Sequence, residues 1–205
     1  TVGILGELSL GHAGFMCVGA YASSIFSVVT KETITNVWIR FPLAILIGGL
    51  CAAIFGILIG IPILRLKGDY LAIVTLAFGE IIKNVLGSIY VGYDSNGVHM
   101  SLESESSLNL EPTGTLLING PLGISGTPND SNFIVGIVLL VITLVVILNF
   151  VNSRAGRAVM SLRDNRIAAE SVGINVTKYK LMAFTISAFF AGIAGVLYSH
   201  NLSIL

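Results

Sequence analysis

The chain has 205 residues, of which 54% are hydrophobic and 11% charged, with a mean hydropathy of +0.90 and a formal net charge of zero. A water-soluble domain carries about 25% charged residues to coat its surface, so this composition excludes a soluble globular domain and points to a lipid bilayer as solvent. The balanced charge gives no indication of nucleic-acid binding, and only the distribution of charge along the chain is informative.

The predicted fold is all-α, a polytopic transmembrane helical bundle forming a single domain over 1–205. At 1.5 Å per residue, five stretches can cross about 30 Å of hydrocarbon. The chain starts at Thr1 directly before apolar sequence. It shows no basic segment followed by a cleavage site, so no signal peptide is read, and the expectation is a fragment lacking its first and last spans.

The first span is predicted at about 9–30. It contains His12 within Ser-Leu-Gly-His-Ala-Gly-Phe, a polar ring in apolar surroundings with Ser9 on the same helical face. A buried, hydrogen-bonded histidine and a contact on the solute path both fit that setting. The second span, about 41–64, opens with Pro42, suited to a first helical turn, and Pro62 is expected to kink or stop it. Gly56 and Gly60 form a GxxxG step, and Gly48, Gly49, Ala188, Gly192 and Gly195 add small surfaces that let helices approach closely.

The third span, about 70–90, carries Glu80, Lys83 and Asn84 on one helix face. Charge at that depth costs about 2.5–3.5 kcal/mol per group on insertion scales, so the expectation is that these residues face the bundle interior and pair. They then either line a solute path or lock helices together. Residues 92–132 form a 41-residue loop rich in Gly and Pro, readable as an external loop or as a segment dipping back towards the bundle.

The fourth span, about 133–151, has no charge at all, and the fifth is predicted at about 181–200. Between them, 152–180 holds Arg154, Arg157, Arg163, Arg166, Lys178 and Lys180, six of the eleven basic residues. Alternate threading puts Arg65 and Lys67 on the same side, leaving only Lys31 and Arg40 opposite, so 152–180 is expected to be cytoplasmic and 92–132 extracytoplasmic. Within 152–180, Asp164 is read as the N-cap of a short helix stopped by Gly173. Ala168 and Ala169 give it a flat face beside Arg163, Arg166 and Glu170. That helix is either a docking element for a partner or part of a solvated basic loop.

Three blocks carry a family resemblance: LGELSLGHAGFMCVGAY, KGDYLAIVTLAFGEIIKNV and GRAVMSLRDNRIAAESVGINVTKYKLMAFTISAFFAGIAGVLYSH. In this order they resemble the permease subunits of branched-chain amino-acid ABC importers, the LivM-like branch in particular. The pattern departs from the family at INGPLGI in the outer loop. The resemblance implies a multi-pass protein of a bacterial-type inner membrane that translocates Leu, Ile, Val or similar small solutes. It implies partners as well: ABC ATPase subunits, a second permease subunit and an extracytoplasmic solute-binding protein. Arg163, Asp164, Ala168, Ala169, Glu170 and Gly173 then form the coupling element to the ATPase, and Glu80, Lys83, Asn84 and His12 are candidates for the translocation path.

No GxxxxGK[ST] phosphate loop occurs in the sequence, so ATP is expected on partner subunits and this chain is expected to be neither an enzyme nor a holder of any cofactor. Neither metal-ligand spacing nor a nucleophile–base pairing is found, and Cys17 and Cys51 suggest neither a disulfide nor a metal site. The competing class, an ion-coupled secondary transporter or channel, calls for several intramembrane carboxylates. Only Glu80 clearly qualifies, with Glu7 and Asp69 at the span margins, so the ABC permease reading is favoured.

Overall fold

The computed structural model describes every residue except 1, 32, 65, 67–68, 95–96, 103–104, 109–114, 125–126 and 203–205. Arg65, Lys67 and part of the 92–132 loop therefore lie outside the described residues.

Among the described residues, a short α1 (Val2–Leu5) is followed by five helices long and apolar enough to cross a membrane. They are α2 (His12–Val29), α3 (Val37–Ile63), α4 (Asp69–Gly87), α5 (Phe133–Asn152) and α8 (Val176–Leu202). Two further helices, α6 (Arg154–Asp164) and α7 (Arg166–Ser171), fill the segment between α5 and α8. The fold is thus a polytopic helical bundle.

The two helix starts that differ most from the sequence reading, those of α3 and α8, do so for a local reason. Helix α3 starts at Val37 rather than at Pro42, because the Asn36 side chain accepts a hydrogen bond from the Trp38 amide at 3.1 Å and caps an earlier turn. Pro42 then sits inside the helix, while Pro62 falls at the end, where α3 stops at Ile63. Helix α8 begins at Val176, where the Asn175 side chain accepts from the Lys178 amide at 3.0 Å.

Helices α2, α3 and α8 pack into the centre of the bundle. In a bilayer, close approach rather than hydrophobic exclusion holds such helices together, and the small residues supply it. A Cβ on Gly192 of α8 would sit 2.5 Å from the Ala52 Cβ of α3, and one on Gly56 would sit 2.7 Å from that of Ala188. Helix α4 leans on α2, and the core closes with Phe15, Ile63, Leu71 and Phe184. Helix α5 is different: none of its residues is buried. It stands off from α2 and α8 across a cleft of about 520 Å³ lined by Met16, Gly136, Leu140 and Tyr198.

The long connection after α4 is neither a plain loop nor a dip into the bundle where it is described. Strands β1 (Tyr90–Asp94), β2 (Gly97–Ser101) and β3 (Thr115–Asn119) form an antiparallel sheet in the order β2-β1-β3, with an irregularity between Val91 and Gly92. Val91, Leu117, Ile118 and Ile124 pack under it against Tyr21, Ile25 and Val28 of α2. The sheet therefore caps one end of the bundle, and α6 and α7 lie at the other.

Candidate functional site

The rotation of α4 decides what its charged face can do. Thr75 is buried against α2, where its hydroxyl accepts from the Leu10 amide at 3.1 Å and donates to the Ala72 carbonyl at 2.9 Å. Gly79 lies opposite Gly14, so close that a Cβ on Gly14 would be 3.0 Å from the Gly79 Cα. Leu71, Ala72 and Ile82 are buried on the same side. This contact turns Glu80, Lys83 and Asn84 to the opposite side, where all three are exposed.

The expectation that they face the interior of this bundle is thus corrected. They share one face, and Lys83 Nζ lies 3.6 Å from Glu80 Oε2, but the side chains are 73% and 60% exposed. The physical reason is the glycine-lined contact: the smoothest side of α4 goes inward and carries the charged side out. One step round the helix, Ile81 and Val85 border an apolar cleft of about 570 Å³ shared with Phe55 and Leu58 of α3.

His12 is set apart from this face. Its Nδ1 donates to the Ser9 carbonyl at 3.3 Å, which leaves Nε2 to accept from the Ser187 hydroxyl of α8 at 2.6 Å. The ring also meets Phe15 and Phe184 edge-on, with centroids 6.2 and 6.4 Å away. It is half-buried and ties α2 to α8, so the structure does not bring it to Glu80.

In the α6–α7 segment a further helix, α6, precedes the expected short one and absorbs Asp164, which moves the cap by one residue. Asp164 is the last residue of α6. Asn165 is the cap of α7, its side chain accepting from the Ala168 amide at 3.1 Å. Gly173 follows α7 at φ +86°, donating to the Glu170 carbonyl at 3.0 Å.

The flat alanine face is also corrected. Ala169 points inward against Leu162 and Val176, and only Ala168 is exposed. The outward knobs are Ile167 and Val172, 78% and 76% exposed, flanked by the Arg166–Glu170 ion pair at 3.6 Å. Arg163 is not free to reach outward, because it donates to the Gly3 carbonyl at 2.8 Å and holds the chain's first turn against α6.

Two polar clusters escaped the sequence reading. At the sheet end of the bundle, Arg40 at the start of α3 bonds Asp130, just before α5, at 2.7 Å, with both side chains less than 10% exposed. Beside it, fully buried His200 donates from Nδ1 to the Val196 carbonyl at 3.0 Å and accepts at Nε2 from the Ser27 hydroxyl at 2.9 Å, while its ring meets Phe41. At the other end, Lys180 is buried and paired with Glu7. Partners so far apart in sequence leave no local signal; the isolated Arg40 ahead of an apolar run is the one visible hint.

The family described as branched-chain amino acid transport system / permease component matches residues 1–204. The chain is 38% identical over 97% of its length to the high-affinity branched-chain amino acid transport system permease protein LivM of Salmonella typhimurium, and 37% identical to that of Escherichia coli, in each case over 47% of the relative. It is also 23% identical to the nucleoside ABC transporter permease protein NupC of Lactococcus lactis, over 97% of this chain and 60% of that protein. The chain thus spans about half the length of the LivM proteins it matches. No solved structure matches it.

Proposed function

We propose, from the fact that this chain belongs to the branched-chain amino acid transport permease family, that it is the membrane-spanning part of an ABC importer for Leu, Ile, Val or similar small solutes. ATP hydrolysis takes place on separate subunits, a second permease subunit completes the pathway, and an extracytoplasmic binding protein delivers the solute. The α6–α7 end faces the cytoplasm of a bacterial-type inner membrane, in keeping with the six basic residues of 152–180.

The observation that carries this reading is the build of α7. A six-residue helix is too short to be stable by itself, yet this one is capped by Asn165, closed at Gly173 and pinned underneath by Ala169. Such support presents Ile167 and Val172 rigidly outward. Two apolar knobs beside a charge pair suit insertion into a groove on an ATPase subunit. A push there passes through α6 to the start of α8 and, across the single residue Ser153, to α5.

The Glu80–Lys83–Asn84 face lines the solute path. Charge on the outer side of a membrane span must meet water or protein rather than hydrocarbon, and an importer supplies both along its pathway.

The test is affinity purification of the full-length protein from native membranes in mild detergent, followed by mass spectrometry. ATPase subunits and a second permease are expected to co-purify, and the ATPases are expected to be lost from an Ile167→Asp/Val172→Asp variant that still reaches the membrane. Retention of the ATPases by that variant would remove α7 as the coupling element.

A further inference from the structure

The charged face of α4 is built as a stripe with two unlike halves. Around Glu80 the helix periodicity gathers Ile73, Leu76, Ala77, Lys83 and Asn84 on the same side, all exposed. The half towards the sheet is polar, with one anion, one cation and one amide. The half one turn towards α6–α7 is aliphatic. Its rotation is locked by the Thr75 and Gly79 contacts with the α2 side, so the stripe is a fixed feature.

The ion pair on this stripe is loose. At 3.6 Å the two groups are beyond a charge-assisted hydrogen bond, and among the described residues neither makes any hydrogen bond to a third group. The buried pairs of the same chain are held differently: Arg40 bonds Asp130 at 2.7 Å, and Lys180 bonds Glu7. A loose, exposed, self-neutralising pair is suited to exchanging partners.

We infer that Glu80 and Lys83 are the residues that read the zwitterionic head of an α-amino acid in transit, Glu80 taking the ammonium and Lys83 the carboxylate, while the aliphatic side chain lies along Ile73, Leu76 and Ala77. This rests on the reading of the α4 face as solute path and adds the ligand chemistry to it. A zwitterion replaces the internal pair with two external ones at no change in net charge. A solute carrying one charge leaves either the anion or the cation without a partner, a cost that grows as the path excludes water. An uncharged solute cannot open the pair at all.

The test uses the full-length protein in its purified assembly, with Ala77→Cys placed in a background whose other cysteines are replaced. Labelling by a membrane-impermeant methanethiosulfonate reagent is followed with leucine, leucinamide or 4-methylpentanoate present. The reagent is expected to modify the cysteine. Leucine is expected to slow this at least fivefold, and the amide and the acid less than twofold. Equal protection by all three, or by none, overturns the zwitterion assignment and leaves the path reading standing. A cysteine that is never labelled overturns the path reading and this inference with it. In leucine uptake by the assembly, Glu80→Gln and Lys83→Met are each expected to lower the rate at least tenfold, with part of it restored in Glu80→Lys/Lys83→Glu. Normal uptake in both single variants contradicts the assignment as well.

Discussion

The ion pairs at Arg40–Asp130 and Glu80–Lys83 use the same chemistry in opposite settings. The first is buried at the sheet end of the bundle, short, and flanked by His200, Ser27 and Phe41. It joins the start of α3 to the segment entering α5, a helix with no buried residue of its own. The second lies on the outer side of α4, longer and without further hydrogen bonds among the described residues. Burial and secondary bonding make a charge pair a structural joint. Exposure on a packed helix keeps it available to a ligand. The difference is set by neighbours rather than by the charged residues, since the Thr75–Leu10 and Gly14–Gly79 contacts decide which way Glu80 faces.

That contrast can be broken at several points. Asp130→Ala leaves the Arg40 guanidinium buried and unpaired, and a loss of about 3–5 kcal/mol is expected from that. It should appear as a large drop in the thermal unfolding temperature of the detergent-purified protein, while Arg40→Met/Asp130→Leu recovers most of it. If the single variant melts like the wild type, the joint has been misjudged. Gly192→Val forces a side chain into the Ala52 contact, and overpacking of this kind costs about 1–3 kcal/mol; a melt unchanged by it would mean that α3 and α8 do not meet so closely. Ser27→Ala removes the one hydroxyl donated to His200 Nε2 and is expected to cost about 1–2 kcal/mol in the same assay. Glu80→Gln should be the mildest for stability, about 0.5 kcal/mol or less, because an exposed pair one helical turn apart contributes little. Its expected effect is on leucine uptake instead, and a variant that unfolds while transporting at the normal rate per folded molecule would reverse the comparison.

The legible parts of the fold were those with a one-dimensional signal. Helix α5, charge-free from Phe133 to Val151, could be read directly, and the Gly173 stop follows from a residue type that tolerates φ +86°. The cap of α7 was missed by one residue because Asp164 and Asn165 are adjacent and equally suited to capping. The length of α6, which absorbs Asp164, decided between them. The sheet was missed because its strands are only five residues long, one broken by Gly92 and the next opening on Gly97, and are embedded among turn residues. The two-residue gap between Asp94 and Gly97, which pair in the hairpin, was the available clue.

For the candidate site, the clustering of Glu80, Lys83 and Asn84 followed from helix periodicity, but the direction of that face did not. It depends on which glycines of α2 meet α4, and that is a tertiary fact. The pairs Arg40–Asp130 and Glu7–Lys180 join residues 90 and 173 positions apart, beyond any pattern within one span. The exposure of Ile167 rather than an alanine face was hidden for a similar reason: Leu162 and Val176 select Ala169 as the inward residue.

Leucine uptake into proteoliposomes holding the purified full-length assembly and its binding protein decides whether this chain works in a solute importer driven by ATP on other subunits. Uptake is expected to require ATP on the α6–α7 side and to continue when ion gradients are collapsed. Uptake that proceeds without ATP and stops when the proton or sodium gradient is dissipated would contradict it.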